Sequence, residues 1–265
     1  MTSCRAIAAF RRTVWAHYRR AGRHNLPWRK TADPYRILVS EVMLQQTQVS
    51  RVIPKYKEFV SAFPSVQKLA RSDLAGVLKV WSGLGYNRRA KYLYESARTV
   101  VGTYHTDWRE ALAHSLPGVG PYTRAAVQTF VFNEPHVMLE TNIRTVFIHH
   151  FFPKRSKVAD KEIVPYMELA VKGQDPRMWY WALMDYGAHL KQGGVRNNAK
   201  SRHYTKQSRF KGSLREVRGA ILRKLVQTGR PNLPSITRQA AARLSFPKSR
   251  IKAALASLKK DGLIE

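Results

Sequence analysis

The chain has 265 residues and a mass of 30.4 kDa, enough for one large domain or a few small ones, each with its own core. Its 47 Lys and Arg against 17 Asp and Glu give a formal charge of +30, an excess that points to a polyanionic partner, nucleic acid being the commonest. The single cysteine, Cys4, excludes an internal disulfide and any cysteine-ligated iron–sulfur cluster or zinc finger. No apolar run is long enough to span a bilayer and no signal-peptide pattern opens the chain, so the expectation is an intracellular protein of cytoplasm or nucleoid, with no membrane partner.

Helical periodicity dominates and alternating runs are few, which predicts an all-α chain. A first helix over about Arg5–Arg20 would bury Phe10, Val14 and Tyr18 at i, i+4 and i+8. Leu26-Pro27-Trp28-Arg29 leads into a loop, and Asp33-Pro34 is a turn or helix-start signal.

Next comes SEVMLQQTQV, Ser40 to Val49. Glu41 lies among apolar residues, where desolvation raises a carboxyl pKa and makes a proton donor. The uncharged Gln45, Gln46, Thr47 and Gln48 that follow suit the edges of nucleobases. As one unbroken helix, the stretch would put Glu41, Gln45 and Gln48 on a solvated face opposite Val39, Val42, Met43 and Val49. Gln46 would then fall on the apolar face, so either it is buried or the helix breaks near Leu44.

Short helices continue to about Lys191, broken at Pro64, at Gly83 and Gly85, at Pro117, and at Gly173 with Pro176. In Leu116-Pro117-Gly118-Val119-Gly120, followed by Pro121-Tyr122-Thr123, Gly supplies a tight turn and Pro a helix start. The exposed N–H groups of such a turn suit a phosphate, although many helix pairs turn this way. His149 and His150 have no third ligand at a usual spacing and point in different directions on a helix, so no metal is assigned. Residues 191–211 are polar and basic, without Asp or Glu, and read as a strap along a phosphate backbone. In 213–265, Leu214, Val217, Ile221 and Leu225 mark one helix, Ile236 to Leu244 a second and Pro247 to Lys260 a third. Asp261 to Ile264 reads as a turn into a strand. This is either a winged-helix-like unit or a helical cap on the main body.

LPGVG resembles the helix-hairpin-helix of the endonuclease III superfamily of DNA glycosylases. With SEVMLQQTQV, LPW and Gly83-Leu84-Gly85-Tyr86, the chain from about Phe10 to His189 is similar to the MutY-type adenine DNA glycosylases. The resemblance implies a two-lobed all-α fold with the C-terminal winged-helix-like unit added. Its lobes would be 1–28 with 135–190, and 29–134 carrying the hairpin; 191–212 would be the strap and 213–265 the last unit. It implies a monomer on double-stranded DNA carrying mismatched or oxidised base pairs, which flips adenine from opposite guanine or 8-oxoguanine and hydrolyses its glycosidic bond.

By resemblance Glu41 is the general acid, and a second carboxylate stabilises the oxocarbenium-like sugar. Where the family has Asp-Gly-Asn this chain has Glu140-Thr141-Asn142, so that carboxylate sits one methylene farther out. Tyr122 stands where strand-cleaving relatives carry lysine, and a phenol forms no Schiff base, which implies a monofunctional enzyme. Trp28 and Arg29 would line the substrate pocket. Leu44, Gln45, Gln46, Thr47, Gln48, Tyr86, Arg88, Arg89, Leu116, Gly118, Val119, Gly120 and Thr123 would face DNA; Asn87 replaces an aromatic common beside Tyr86, and Tyr86 could instead be a plain core aromatic. The family's four cluster-binding cysteines fall in 191–210, which holds no cysteine, so no cofactor is expected beyond a monovalent cation that hairpin carbonyls can hold. The family's C-terminal 8-oxoguanine domain is replaced by the smaller unit. The alternatives are a thymine or uracil mismatch glycosylase of the same fold and a non-catalytic DNA-binding regulator.

Overall fold

A computed structural model describes residues 4–207, 209–227 and 245–264. In chain order the helices are α1 (Cys4–Ala21), α2 (Pro34–Leu44), α3 (Val49–Ala62), α4 (Val66–Ala70), α5 (Leu74–Trp81), α6 (Arg88–Gly102), α7 (Trp108–Ala113), α8 (Pro121–Phe132), α9 (Thr141–Phe151), α10 (Asp160–Val171), α11 (Pro176–Gln192), α12 (Leu214–Gln227) and α13 (Lys248–Lys260). Among the described residues there is no strand, only two isolated bridges, Leu116 with Val119 and Val158 with Ser201. The turn expected at Asp261 forms, and among the described residues no strand follows it. The helix expected over Ile236 to Leu244 lies outside the described residues.

Local chemistry starts the helices. Asp73, Asp107 and Asp175 accept from the first-turn N–H groups of α5, α7 and α11, and Ser65 does the same for α4. Pro121 and Pro176 open α8 and α11 at the position where a missing N–H costs nothing.

The chain divides into two compact units, one of residues 1–37 and 120–206, the other of 38–119 and 207–265. The boundaries inferred from sequence at 28/29 and 134/135 therefore fall elsewhere, inside α2 and in the hairpin turn. Residues 213–265, read as a unit apart, share a compact unit with 38–119, where α12 packs against α5 as well as α13.

The first unit is built on α1, α9 and α11. Phe10, Val14 and Tyr18 are buried as their spacing predicts, with the Phe10 ring 5.1 Å from Phe147 and 5.9 Å from Trp179. The strap is partly docked here: a short 3-10 helix, Asn197–Lys200, leads into the Ser201 bridge, and Val158 N donates to Lys200 O at 2.9 Å. In the second unit, the Phe59 ring packs tilted against Phe63 and edge-on to Trp81 in the core, and α6 contributes Leu93 and Val100.

Candidate nucleic-acid and catalytic site

In the second unit α2 ends at Leu44, and Gln46 takes a left-handed φ of 56° with its side chain exposed. The helix breaks where the pattern placed Gln46 in conflict with the apolar face. Glu41 is not on a solvated face: it is 7% exposed, between Ser40 and Val42, which are also buried. A carboxyl sits inside the protein surface, and an exposed amide follows five residues later.

Arg89 explains the break. It was expected to face DNA, but it is 9% exposed and directs its guanidinium into the end of α2. Nη1 donates to the carbonyls of Val42 at 2.7 Å, Met43 at 3.0 Å and Gln45 at 2.6 Å, and Nη2 to Thr47 Oγ1 at 3.1 Å and Gly85 O at 3.3 Å. A helix end leaves its last carbonyls without intrahelical donors, and a cation there also meets the negative end of the dipole. Burial lowers the Arg89 pKa to about 10, with Tyr86 acting in the opposite sense, so the group stays charged at neutral pH. It is a structural cation that shapes the Gln45–Gln48 segment. Thr47 likewise spends its hydroxyl on this network.

Tyr86 has a left-handed φ of 48° and is half-buried, not a core ring. Its ring lies 5.4 Å from the Arg89 guanidinium and 5.7 Å from that of Arg215. Its hydroxyl accepts from Arg215 Nη1 at 2.6 Å and from the Gln207 amide, which also donates to Gln46 Oε1 at 3.0 Å. Residues 207 and 215 thus reach the pair Gln46 and Tyr86, an association that sequence alone did not reveal. Arg88 is exposed, 3.3 Å from the Asp261 carboxylate, and lies over the Tyr92 ring. Leu44 is half-buried, and Gln48 is the exposed residue before α3.

In the hairpin, Leu116 and Val119 are buried anchors, and Val119 N donates to Leu116 O at 3.1 Å. Gly118 has φ 69°, and a Cβ there would lie 2.6 Å from the Cβ of Tyr92. Ser96 Oγ donates to Pro117 O at 2.6 Å, which ties the turn to α6.

The first unit carries the other candidates. Gly120 precedes α8 without a side-chain cap, Tyr122 is half-buried and Thr123 is buried. Glu140 caps α9: its Oε1 accepts from Asn142 N at 2.8 Å and Ile143 N at 3.0 Å, and its Oε2 from Asn142 Nδ2 at 3.3 Å. Asn142 Oδ1 in turn accepts from Lys191 Nζ at 3.0 Å. Gly187 permits this approach, since a Cβ there would meet Asn142 O at 2.4 Å. Glu140, Asn142, Gly187 and Lys191 form one cluster.

Trp28 is buried, and Arg29, expected at a substrate pocket, is consumed by Asp185. Its Nη1 and Nη2 reach the two carboxylate oxygens at 2.8 and 2.9 Å. Arg23 Nε adds a third charged contact at 2.6 Å. Burial alone would push the Asp185 carboxyl up, but the hydrogen bonds and charge of Arg29, then Arg23, hold it below the usual carboxylate range. The lone acid in WYWALMDYGAHL was the signal for this hub. His150 Nε2 lies 3.1 Å from Tyr186 Oη, and burial, helped by His149, lowers the His150 pKa to about 4. Among the described residues no group of three His, Cys, Asp or Glu is placed to hold a metal, and no helix is long and apolar enough to cross a membrane.

Residues 39–166 match the family model of the HhH-GPD superfamily base excision DNA repair protein. The adenine DNA glycosylase of Buchnera aphidicola subsp. Baizongia pistaciae is 35% identical over 182 residues, 68% of this chain and 52% of that protein. The adenine DNA glycosylase of Mycobacterium tuberculosis strain H37Rv is 42% identical over 135 residues, 49% of this chain and 44% of that protein. The chain spans about half the length of these curated relatives. Among solved structures, a thermostable thymine-DNA glycosylase superposes with a TM-score of 0.60 at 28% identity, covering 69% of this chain and 87% of that one.

Proposed function

We propose that this chain, whose residues 39–166 match the HhH-GPD base excision repair family model, is a monofunctional DNA glycosylase that removes adenine mispaired with guanine or 8-oxoguanine. The observation that carries this reading is Glu41, a carboxyl buried in the last turns of α2 and followed five and seven residues later by the exposed, uncharged Gln46 and Gln48. Such a group donates a proton to a ring nitrogen of a flipped adenine, so that the base leaves neutral. The glycosidic electron pair goes to the base, and the sugar becomes an oxocarbenium-like cation. By the resemblance, the carboxylate that would supply the compensating charge is Glu140, whose oxygens accept from Asn142 N, Ile143 N and Asn142 Nδ2. Water then adds to the sugar, with Glu41, now ionised, taking its proton.

Tyr122 offers no amine, so the product is an abasic site in an intact strand. The adenine glycosylase names of the relatives support adenine as the substrate, while the thymine-DNA glycosylase neighbour supports thymine opposite guanine as the second reading. Duplexes carrying A opposite G, A opposite 8-oxoguanine, T opposite G and U opposite G, incubated with the wild type or Glu41→Gln and then treated with alkali, separate the two. Alkali-dependent cleavage of the adenine strand by the wild type alone is expected. Cleavage of only the T or U strands would transfer the assignment to the second reading. No base release by the wild type would leave a DNA-binding regulator.

A further inference from the structure

In the second unit, α12 and the segment leading into it face the 82–87 turn and the start of α3 across a cleft. One part, of about 450 Å³, is lined by Gln46, Arg51, Tyr86, Phe210, Arg215 and Arg223 among others. It adjoins a second part of about 620 Å³ that shares Gln46, Tyr86 and Arg215 and extends to Gly118 and Lys260. Among the described residues no acid lines the first part, which three arginines line: Arg51, with Nη2 donating to Gly83 O, Arg215, with Nη1 donating to Tyr86 Oη, and Arg223. In the second the one acid among them is Asp261, and it is already engaged by Arg88 and Arg218. The walls also carry Phe210, a large apolar ring left 59% exposed, and the uncharged amides of Gln46 and Asn87.

We propose that this cleft binds a short unpaired stretch of DNA, with a base laid on Phe210 and phosphates held by Arg51 and Arg223. Volume, charge and ring together select this ligand. The first part has the size of a small-molecule pocket, which admits a nucleotide but not a duplex. Stacked bases in a duplex offer no free face to Phe210, whereas an unpaired base does. Arginines lining a space without an acid supply the phosphate term. The proposal goes beyond base excision and does not depend on it, because it is read as binding without turnover.

The test is fluorescence polarisation of a labelled oligothymidylate of about a dozen nucleotides, a length within single-strand site sizes, against a blunt duplex of equal length over a series of salt concentrations. Phe210→Ala should weaken the single strand roughly tenfold or more, leave its salt slope unchanged and leave the duplex within a factor of about two. The combined Arg51→Ala and Arg223→Ala variant should lower the single-strand slope by about 0.7 for each phosphate that is no longer neutralised. Phe210 is exposed, so unchanged circular-dichroism melting should show that its variant is folded. The proposal is overturned if Phe210→Ala leaves single-strand binding intact or weakens both ligands equally. It is also overturned if polyglutamate displaces the labelled strand as well as unlabelled oligothymidylate does, which would reduce the cleft to bulk charge.

Discussion

Replacing Arg89 by Ala separates a structural cation from a phosphate ligand. The change removes the donor shared by the carbonyls of Val42, Met43 and Gln45, and the donor to Thr47 Oγ1. Each buried carbonyl left without a donor costs about 1–3 kcal/mol. Water entering the vacated volume recovers part of that, so the loss should be about 3–5 kcal/mol, the range for breaking a buried charged network. In a chain of this size that corresponds to roughly 10 °C in melting temperature. Arg89→Lys keeps one charge but not the fork, and should fall between the two. Urea denaturation measures the stability, and duplex affinity against salt concentration measures phosphate neutralisation. With the guanidinium turned inward, the salt slope of the alanine variant should match the wild type wherever the protein is folded. A variant within about 0.5 kcal/mol of the wild type, with a slope smaller by about 0.9, would refute the inward role and return Arg89 to the DNA.

Gly118→Ala should destabilise by at least about 1 kcal/mol, because φ 69° disfavours a side chain and the new Cβ would meet Tyr92 at 2.6 Å; chemical denaturation measures it, and a neutral result would mean the turn can shift. Asp185→Asn should cost about 3–5 kcal/mol near neutrality by leaving Arg29 buried without its anion. Because the folded carboxyl titrates below the unfolded one, its contribution is present above the ordinary pKa of 3.8 and lost as pH falls through the folded value. The gap between wild type and Asp185→Asn should therefore narrow only in strong acid. His150 acts over a higher window: the unfolded chain takes up a proton near pH 6.5 and the folded one only near 4, so stability falls as pH drops between the two. His150→Gln should flatten that part of the stability curve, and an unchanged slope between pH 6.5 and 4 would show that the ring does not stay neutral.

What could be read from the chain alone follows the range of the forces involved. The buried spacing of Phe10, Val14 and Tyr18 and the Pro and Gly of the hairpin are local signals, and the structure places them as their periodicity and dihedral preferences require. The break after Leu44 was legible as a conflict, since Gln46 could not share a face with Val42 and Met43. Its cause was not legible, because the donor that satisfies those carbonyls lies more than forty residues later in α6. Arginine is ambiguous in sequence for the same reason: Arg29 and Arg89 have the composition of phosphate ligands, and only long-range pairing shows that one is held by a buried carboxylate and the other by a helix end. A net charge of +30 therefore overstates the cations free to meet DNA. Arginines turned inward set the shape of the surface, while Arg223 and Arg51, the latter donating to Gly83 O through Nη2, line the acid-free part of the cleft, a space that a phosphate can enter. Counting charge points to a polyanion, but the acceptors already bound to each guanidinium decide where one can lie.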